Sequence, residues 1–255
     1  MAQDPRPSGA LTIGPPSSGR GLQALAGVTA LALLATLYLV FVHAPQERTM
    51  GIVQKIFYMH VPSAIAAYVG FFIAAGASVV YLVRGNRAAD VIARAGAETG
   101  VLFCLVVLMS GPLWARKAWG AFWTGEPRLM LTLVLLLTFL AYLVVRQLGG
   151  DTELTRRICA ALAILGVVDI PLVRYSVARW RGHHPQVITG DGGGLAPEMQ
   201  VALLAGFISI ALLFTLLFAV RVRLGNQEVL REQLERELSI RHHRIEALRE
   251  RSPSA

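Results

Sequence analysis

Charge is scarce in this sequence. Only 16% of its 255 residues are Asp, Glu, Lys or Arg, against about 25% in an average soluble domain, and this argues against a water-soluble fold. Cysteine is scarcer still. Cys104 and Cys159 sit far apart inside apolar runs and form neither a CxxC pair nor a metal-ligand spacing, so they read as small buried hydrophobes. Acidic residues are outnumbered by basic ones, 16 to 24. A net charge of +8 would suit a nucleic-acid binder, but eight of the basic residues fall in the last 35 positions, after the final apolar run. That placement is the positive-inside pattern of a membrane protein with a basic tail.

What the chain has in quantity is apolar length. Hydrophobic residues make up 55% of it and the mean hydropathy is +0.55. A bilayer-spanning helix needs about 20 mostly apolar residues, and unpaired backbone is not tolerated in lipid. Six such runs are expected as helices: about Ala24 to Val42, Val61 to Val83, Val91 to Trp114, Leu129 to Val145, Ile158 to Val173 and Val201 to Val220. The first is too long for a signal-peptide core and reads as an anchor. The fifth is short and interrupted by Asp169-Ile170-Pro171.

The fold class is therefore an all-α integral membrane protein with six transmembrane helices. Residues 1–20, rich in Pro, Gly and Ser, read as a disordered cytoplasmic N-terminus, residues 21–222 as the six-span membrane domain, and residues 223–255 as a charged C-terminal helix. Leu230, Leu234, Leu238, Ile245 and Leu248 would share one face of that amphipathic helix. With both termini cytoplasmic, sixteen Lys and Arg fall inside and eight outside; the excess favours this orientation.

The loops after spans one, three and five then share the outer face and carry the unusual residues. Loop one ends in Met59-His60-Val61-Pro62-Ser63-Ala64, with Pro62 suited to the first turn of span two and His60 at the surface where that helix begins. By itself His60 fits an interfacial hydrogen-bonding histidine. Loop three, from Trp114 to Arg128, concentrates Trp114, Trp119, Trp123, Arg116, Lys117, Glu126 and Arg128. These rings fit an interfacial aromatic belt, or a platform on which a flat ligand stacks while arginines meet its carboxylates. Loop five brings Arg174, Arg179, Trp180, Arg181, His183 and His184 to the same side.

Two histidine regions, an aromatic platform and arginines make a set suited to haem. The histidines lie at span ends, unlike those of a membrane b-type cytochrome subunit, and only Glu98 and Asp169 offer polarity inside the spans for a haem transporter across the inner membrane. Glu98 has Arg94 one turn away, suggesting a local pair. Asp169 has no cation within its own span, with Arg174 just beyond.

The order of Met59-His60-Val61-Pro62-Ser63-Ala64, Gly111-Pro112-Leu113-Trp114 through Arg128, Asp169-Ile170-Pro171, Ser176-Val177, Trp180 and His184 resembles the haem exporter protein C (CcmC) family of cytochrome c-type biogenesis, over roughly residues 20–222. The resemblance implies a multi-pass protein of the bacterial inner membrane that binds haem b on its periplasmic face. It implies His60 and His184 as axial ligands of the haem iron, and Trp114, Trp119, Trp123, Glu126 and Arg128 as haem-binding residues. It further implies presentation of haem to a periplasmic membrane-tethered chaperone (CcmE-like), with a small single-span subunit (CcmD-like) and ABC-transporter subunits (CcmA/CcmB-like), and no catalytic residue. The chain departs from the family pattern at Phe122 and Gly125, where tryptophans are usual, at Glu126 in place of Asp, and at Asp169 in place of Asn. His183 beside His184 leaves two candidates for the second ligand.

Overall fold

The computed structural model describes residues 19–180 and 194–251. Among them six helices are long and apolar enough to cross a membrane. They are α1 (Gly19–Tyr38), α2 (Phe57–Arg84), α3 (Arg87–Trp119), α4 (Pro127–Leu148), α5 (Glu153–Trp180) and α6 (Pro197–Arg251). Residues 1–18, read from sequence as disordered, lie outside the described residues.

The tightest pairing is between the antiparallel neighbours α2 and α3, and it is built on glycine. A Cβ placed on Gly70 would lie 2.8 Å from the Cα and N of Gly100 and 2.9 Å from the Gly96 carbonyl; one on Gly96 would lie 2.8 Å from the Gly70 carbonyl. In lipid, helices gain nothing by hiding apolar side chains from water, so close backbone approach through small residues carries the packing. Beside this seam Phe71 stacks on Phe139 at 3.9 Å and 16°, and Gly166 of α5 leaves room for the Phe139 ring. Leu135, Tyr142, Cys104 and Cys159 complete the core. Both cysteines are free thiols and buried, as expected of small hydrophobes.

Helix α1 touches the bundle along a thin line and leaves most of its apolar surface exposed. Its Thr36 hydroxyl donates back to Ala32 and across to the Ala205 carbonyl of α6 at 3.1 Å. The helix ends in a π-helical turn, Leu39–His43. Its last carbonyls are met by Lys55, whose Nζ donates to Val40 at 2.6 Å, Phe41 at 3.2 Å and Ala44 at 3.4 Å. Lys55 is only 6% exposed; an ammonium there both satisfies orphan carbonyls and opposes the negative end of the helix. Of the two cations between α1 and the apolar part of α2, one is thus committed to holding a helix end.

Three expectations are corrected. The fifth span is not interrupted, since α5 runs unbroken for 28 residues through Asp169-Ile170-Pro171. Proline is tolerated in packed apolar helices where neighbours re-satisfy the freed backbone. Pro62 lies not in the first turn of its helix but in the second, because α2 starts at Phe57 and a short 3-10 turn, Ile52–Ile56, leads into it. The charged tail does not begin after a break either. α6 is one helix of 55 residues, about 80 Å long at 1.5 Å per residue, against about 30 Å for a hydrocarbon core.

The polar part of α6 is tied to the turns at one end of the bundle. Asp151, between α4 and α5, receives a two-pronged contact from Arg87 at 2.7 and 2.8 Å and another from Arg156 at 2.6 Å. Glu232 and Arg236 of α6 approach the same cluster. Further along, Arg94 pairs with Glu98 at 3.1 Å and with Glu228 at 2.6 Å, and Arg221 also holds Glu98. Glu98 therefore links α3 to α6, a structural role beyond the local pair expected from its spacing.

Burial alone would raise the Asp151 carboxyl, but hydrogen bonds and charge from Arg87, joined by Arg156, outweigh it and hold the group at about 2. A carboxyl held below its ordinary value of 3.8 stabilises the fold above that pH, and the contribution is lost as pH falls toward 2. Asp151→Asn should flatten the loss of thermal stability of detergent-solubilised protein between about pH 4 and pH 2; an unchanged acid profile would remove Asp151 as its source. On the glycine seam, Gly70→Ala should destabilise by about 1–3 kcal/mol, the usual cost of overpacking. An unaltered melting temperature would show that α2 and α3 have room to spare.

Candidate functional site

The end of the bundle opposite the Asp151 cluster gathers the sequence-expected residues. The glycine seam sets this up. Ten residues from Gly70 along α2 stands His60, and ten residues from Gly100 along α3 stands Ser110. The helices run antiparallel, so both steps lead to the same end and place the two side chains face to face. His60 Nδ1 lies 2.8 Å from Ser110 Oγ. The ring faces Gly111, where an added Cβ would just reach ordinary contact, 3.4 Å from His60 Cε1. His60 is thus not a loose interfacial ring but a half-buried one with a fixed partner.

Ser110 was not visible as a site residue from sequence. Its one local signal is that it is the sole hydroxyl in α3 beyond Thr99; its partner belongs to another helix, which no local pattern reveals.

The aromatic segment is half helix and half loop. α3 extends to Trp119, so Trp114 and Trp119 both ride its last turns, meeting edge to face at 5.1 Å and 90°. Arg116 and Lys117 lie in that last turn, where cations oppose the helix dipole. Gly120, at φ +78°, closes the helix with its N–H on the Arg116 carbonyl. Arg116 in turn donates to the Gly120 carbonyl and spreads over the Phe122 ring at 5.5 Å. Phe122 and Trp123 are 56% and 40% exposed. Gly125 sits at φ +68°, backbone that a tryptophan would adopt only under strain. The missing ring therefore accompanies a sharper turn.

Glu126 then N-caps α4, with Pro127 in the first turn and the Glu126 carbonyl accepting from Met130 N–H at 3.0 Å. Its side chain is buried. Arg128, the second residue of α4, is within electrostatic reach of His60, Tyr68, Glu126 and Arg174. Helices α2, α4 and α5 therefore bring an imidazole and two guanidinium groups to one end of the bundle. Asp169 also influences Tyr68, and its Oδ2 is buried without a hydrogen-bond partner among the described residues. Among the described residues no cluster of three or more His, Cys, Asp or Glu is placed to hold a bare metal ion.

His183 and His184 lie outside the described residues, as does the side chain of Trp180; the second ligand expected from sequence falls there. The described part offers one positioned imidazole, exposed aromatic rings a few residues before Arg128 in sequence, and two arginines, Arg128 half-buried and Arg174 exposed. This donor set fits a flat apolar ligand that carries a metal at its centre and carboxylates at its edge, better than it fits an ion or a soluble polar substrate.

Comparison with known proteins follows the same lines. The sequence pattern of heme exporter protein C matches residues 15–239. The heme exporter protein C of Bradyrhizobium diazoefficiens is 30% identical over 219 residues, covering 85% of this chain and 82% of its own length. That of Rhodobacter capsulatus is 28% identical over 81% and 87% of the two chains. That of Escherichia coli K12 is 30% identical over 72% and 74%.

Proposed function

The chain belongs to the heme exporter protein C family, and from that premise we propose that it handles haem for cytochrome c maturation at the outer face of the bacterial inner membrane. In this reading the end of the bundle bearing His60 is periplasmic and both termini are cytoplasmic. The cargo is haem b. His60 and His184 take the two axial positions, Trp114, Trp119 and Trp123 form the aromatic surface, and Arg128, steadied by Glu126, meets a propionate. The recipient is a membrane-tethered periplasmic chaperone of the CcmE kind, assisted by a small CcmD-like subunit and a CcmA/CcmB-like transporter pair. The chain acts by holding and orienting its cargo, with no residue in a catalytic role.

The observation that carries this reading is the anchored imidazole: His60 is held by Ser110 at 2.8 Å, at the end of the bundle where Arg128 and the tryptophan segment converge. Bound haem supplies an iron that accepts imidazole nitrogens and an edge bearing vinyl groups for covalent attachment. The residues do the rest. α2 and α3 fix the position of His60, so the cargo cannot slide along the surface. Trp123 and Phe122 offer apolar area whose contact with a porphyrin face excludes water. A guanidinium such as Arg128 can grip a carboxylate through two parallel hydrogen bonds, which sets the rotation of the ring about the iron axis. A defined rotation is what presents one chosen edge to the chaperone.

The test is the optical spectrum of protein purified in detergent from haem-replete cells, beside His60→Ala, His184→Ala and His183→Ala. A low-spin six-coordinate spectrum lost in the first two and kept in the third is expected. Haem unchanged in both His60→Ala and His184→Ala would remove the ligand assignment. Alkaline phosphatase inserted after Gly120 should be active and the same reporter fused after Ala255 inactive. The reverse pattern would invert the orientation.

A further inference from the structure

We propose that Ser110 is a positioning residue for His60: it accepts a hydrogen bond from Nδ1–H and so leaves Nε2 as the bare nitrogen that meets the iron. The inference rests on His60 being a ligand, as argued above, and adds which nitrogen binds and what selects it.

The selection follows from counting protons. A serine hydroxyl has one proton to donate and lone pairs to accept with. Ser110 Oγ lies 2.6 Å from the carbonyl of Val106, one turn back on its own helix, and 3.4 Å from that of Val107. A carbonyl can only accept, so the hydroxyl proton is directed there. The remaining contact, 2.8 Å to His60 Nδ1, then needs its proton from the ring. A neutral imidazole carries one N–H; with it on Nδ1, the lone pair is on Nε2.

Back-bonding to a carbonyl one turn away is common for hydroxyls in helices, and Thr29, Thr99, Thr132, Thr138 and Thr215 all do it here. Ser110 differs in adding a histidine from a neighbouring helix to the same oxygen. Metal-binding histidines usually give their second N–H to such an acceptor, which fixes ring orientation and makes the ligating nitrogen more basic. Gly111, next along α3, carries no side chain toward the Cε1 edge of the ring, so the one hydrogen bond from α3 that sets the tautomer is the bond to Ser110.

Haem-loaded full-length protein in detergent tests this through its reduction midpoint potential and its haem retention during gel filtration, for the parent, Ser110→Ala, Ser110→Cys and Ser110→Thr. Losing the acceptor makes the imidazole a poorer donor to ferric iron, so Ser110→Ala should shift the midpoint positive. Its haem should be held about 10-fold or more weakly, the range for outer partners of metal-bound histidines. Ser110→Cys, nearly isosteric but a weak acceptor, should fall between, and gives the answer even if the alanine variant fails to accumulate. Ser110→Thr should return both quantities to the parent's. Parental potential and retention in Ser110→Cys overturn the proposal, as does a threonine variant shifted as far as the alanine one, which would make the role steric. His60→Ala with an unaltered low-spin spectrum is a separate result: it removes the ligand reading itself, and the role of Ser110 with it.

Discussion

The backbone contact between α2 and α3 is the constraint on which the rest of this molecule hangs. Gly70, Gly96 and Gly100 let the two chains approach until a single methyl group would part them. Such a contact fixes register as well as distance, because the small residues must face one another. About 15 Å toward one end of the bundle, at 1.5 Å per residue, the same register brings His60 opposite Ser110. The position of the His60 imidazole is thus set by packing deep inside the apolar core. The helices, more rigid than loops, carry that aim outward.

Charge is distributed according to what can neutralise it. At the site end Lys55 is buried, yet three carbonyls at the frayed end of α1 surround its ammonium. At the opposite end Asp151, Glu98, Glu228 and Glu232 are matched by arginines from three helices, α3, α5 and α6. Against this background the convergence of Arg128 and Arg174 near His60 and Tyr68 stands out. Two cations close enough to repel make a place for an incoming anion, and the carboxylates near them are already part of the wall.

Much of this was legible in the residues. Six apolar runs became six helices, and among the described residues His60, the tryptophan segment and Arg128 lie toward one end of the bundle. The differences have physical reasons. Arg116 and Lys117 looked like loop residues, yet a basic last turn and a glycine cap extend α3 to Trp119. Pro171 looked like a break, but packing carries the helix through it. The charged stretch from residue 223 on looked like a separate helix, yet α6 runs on through it, Gly225 included. That position is glycine because Val91 of α3 presses against it, at 2.7 Å from where a Cβ would be. Ser110 was illegible because its meaning lies in a residue fifty positions away.

The continuity of α6 has a mechanical consequence. An unbroken helix resists bending, so Pro197 and the arginine clasp about fifty ångströms away, at 1.5 Å per residue, belong to one beam. Arg94, Arg87 and Asp151 grip that beam through Glu228, Glu232 and Arg236, well inside its length, and the turns beyond them are exposed, with Leu238 and Ile240 bare. The clasp therefore ties the charged tail to α3 and to the turn between α4 and α5, so that a single rod runs from one end of the bundle to beyond the other.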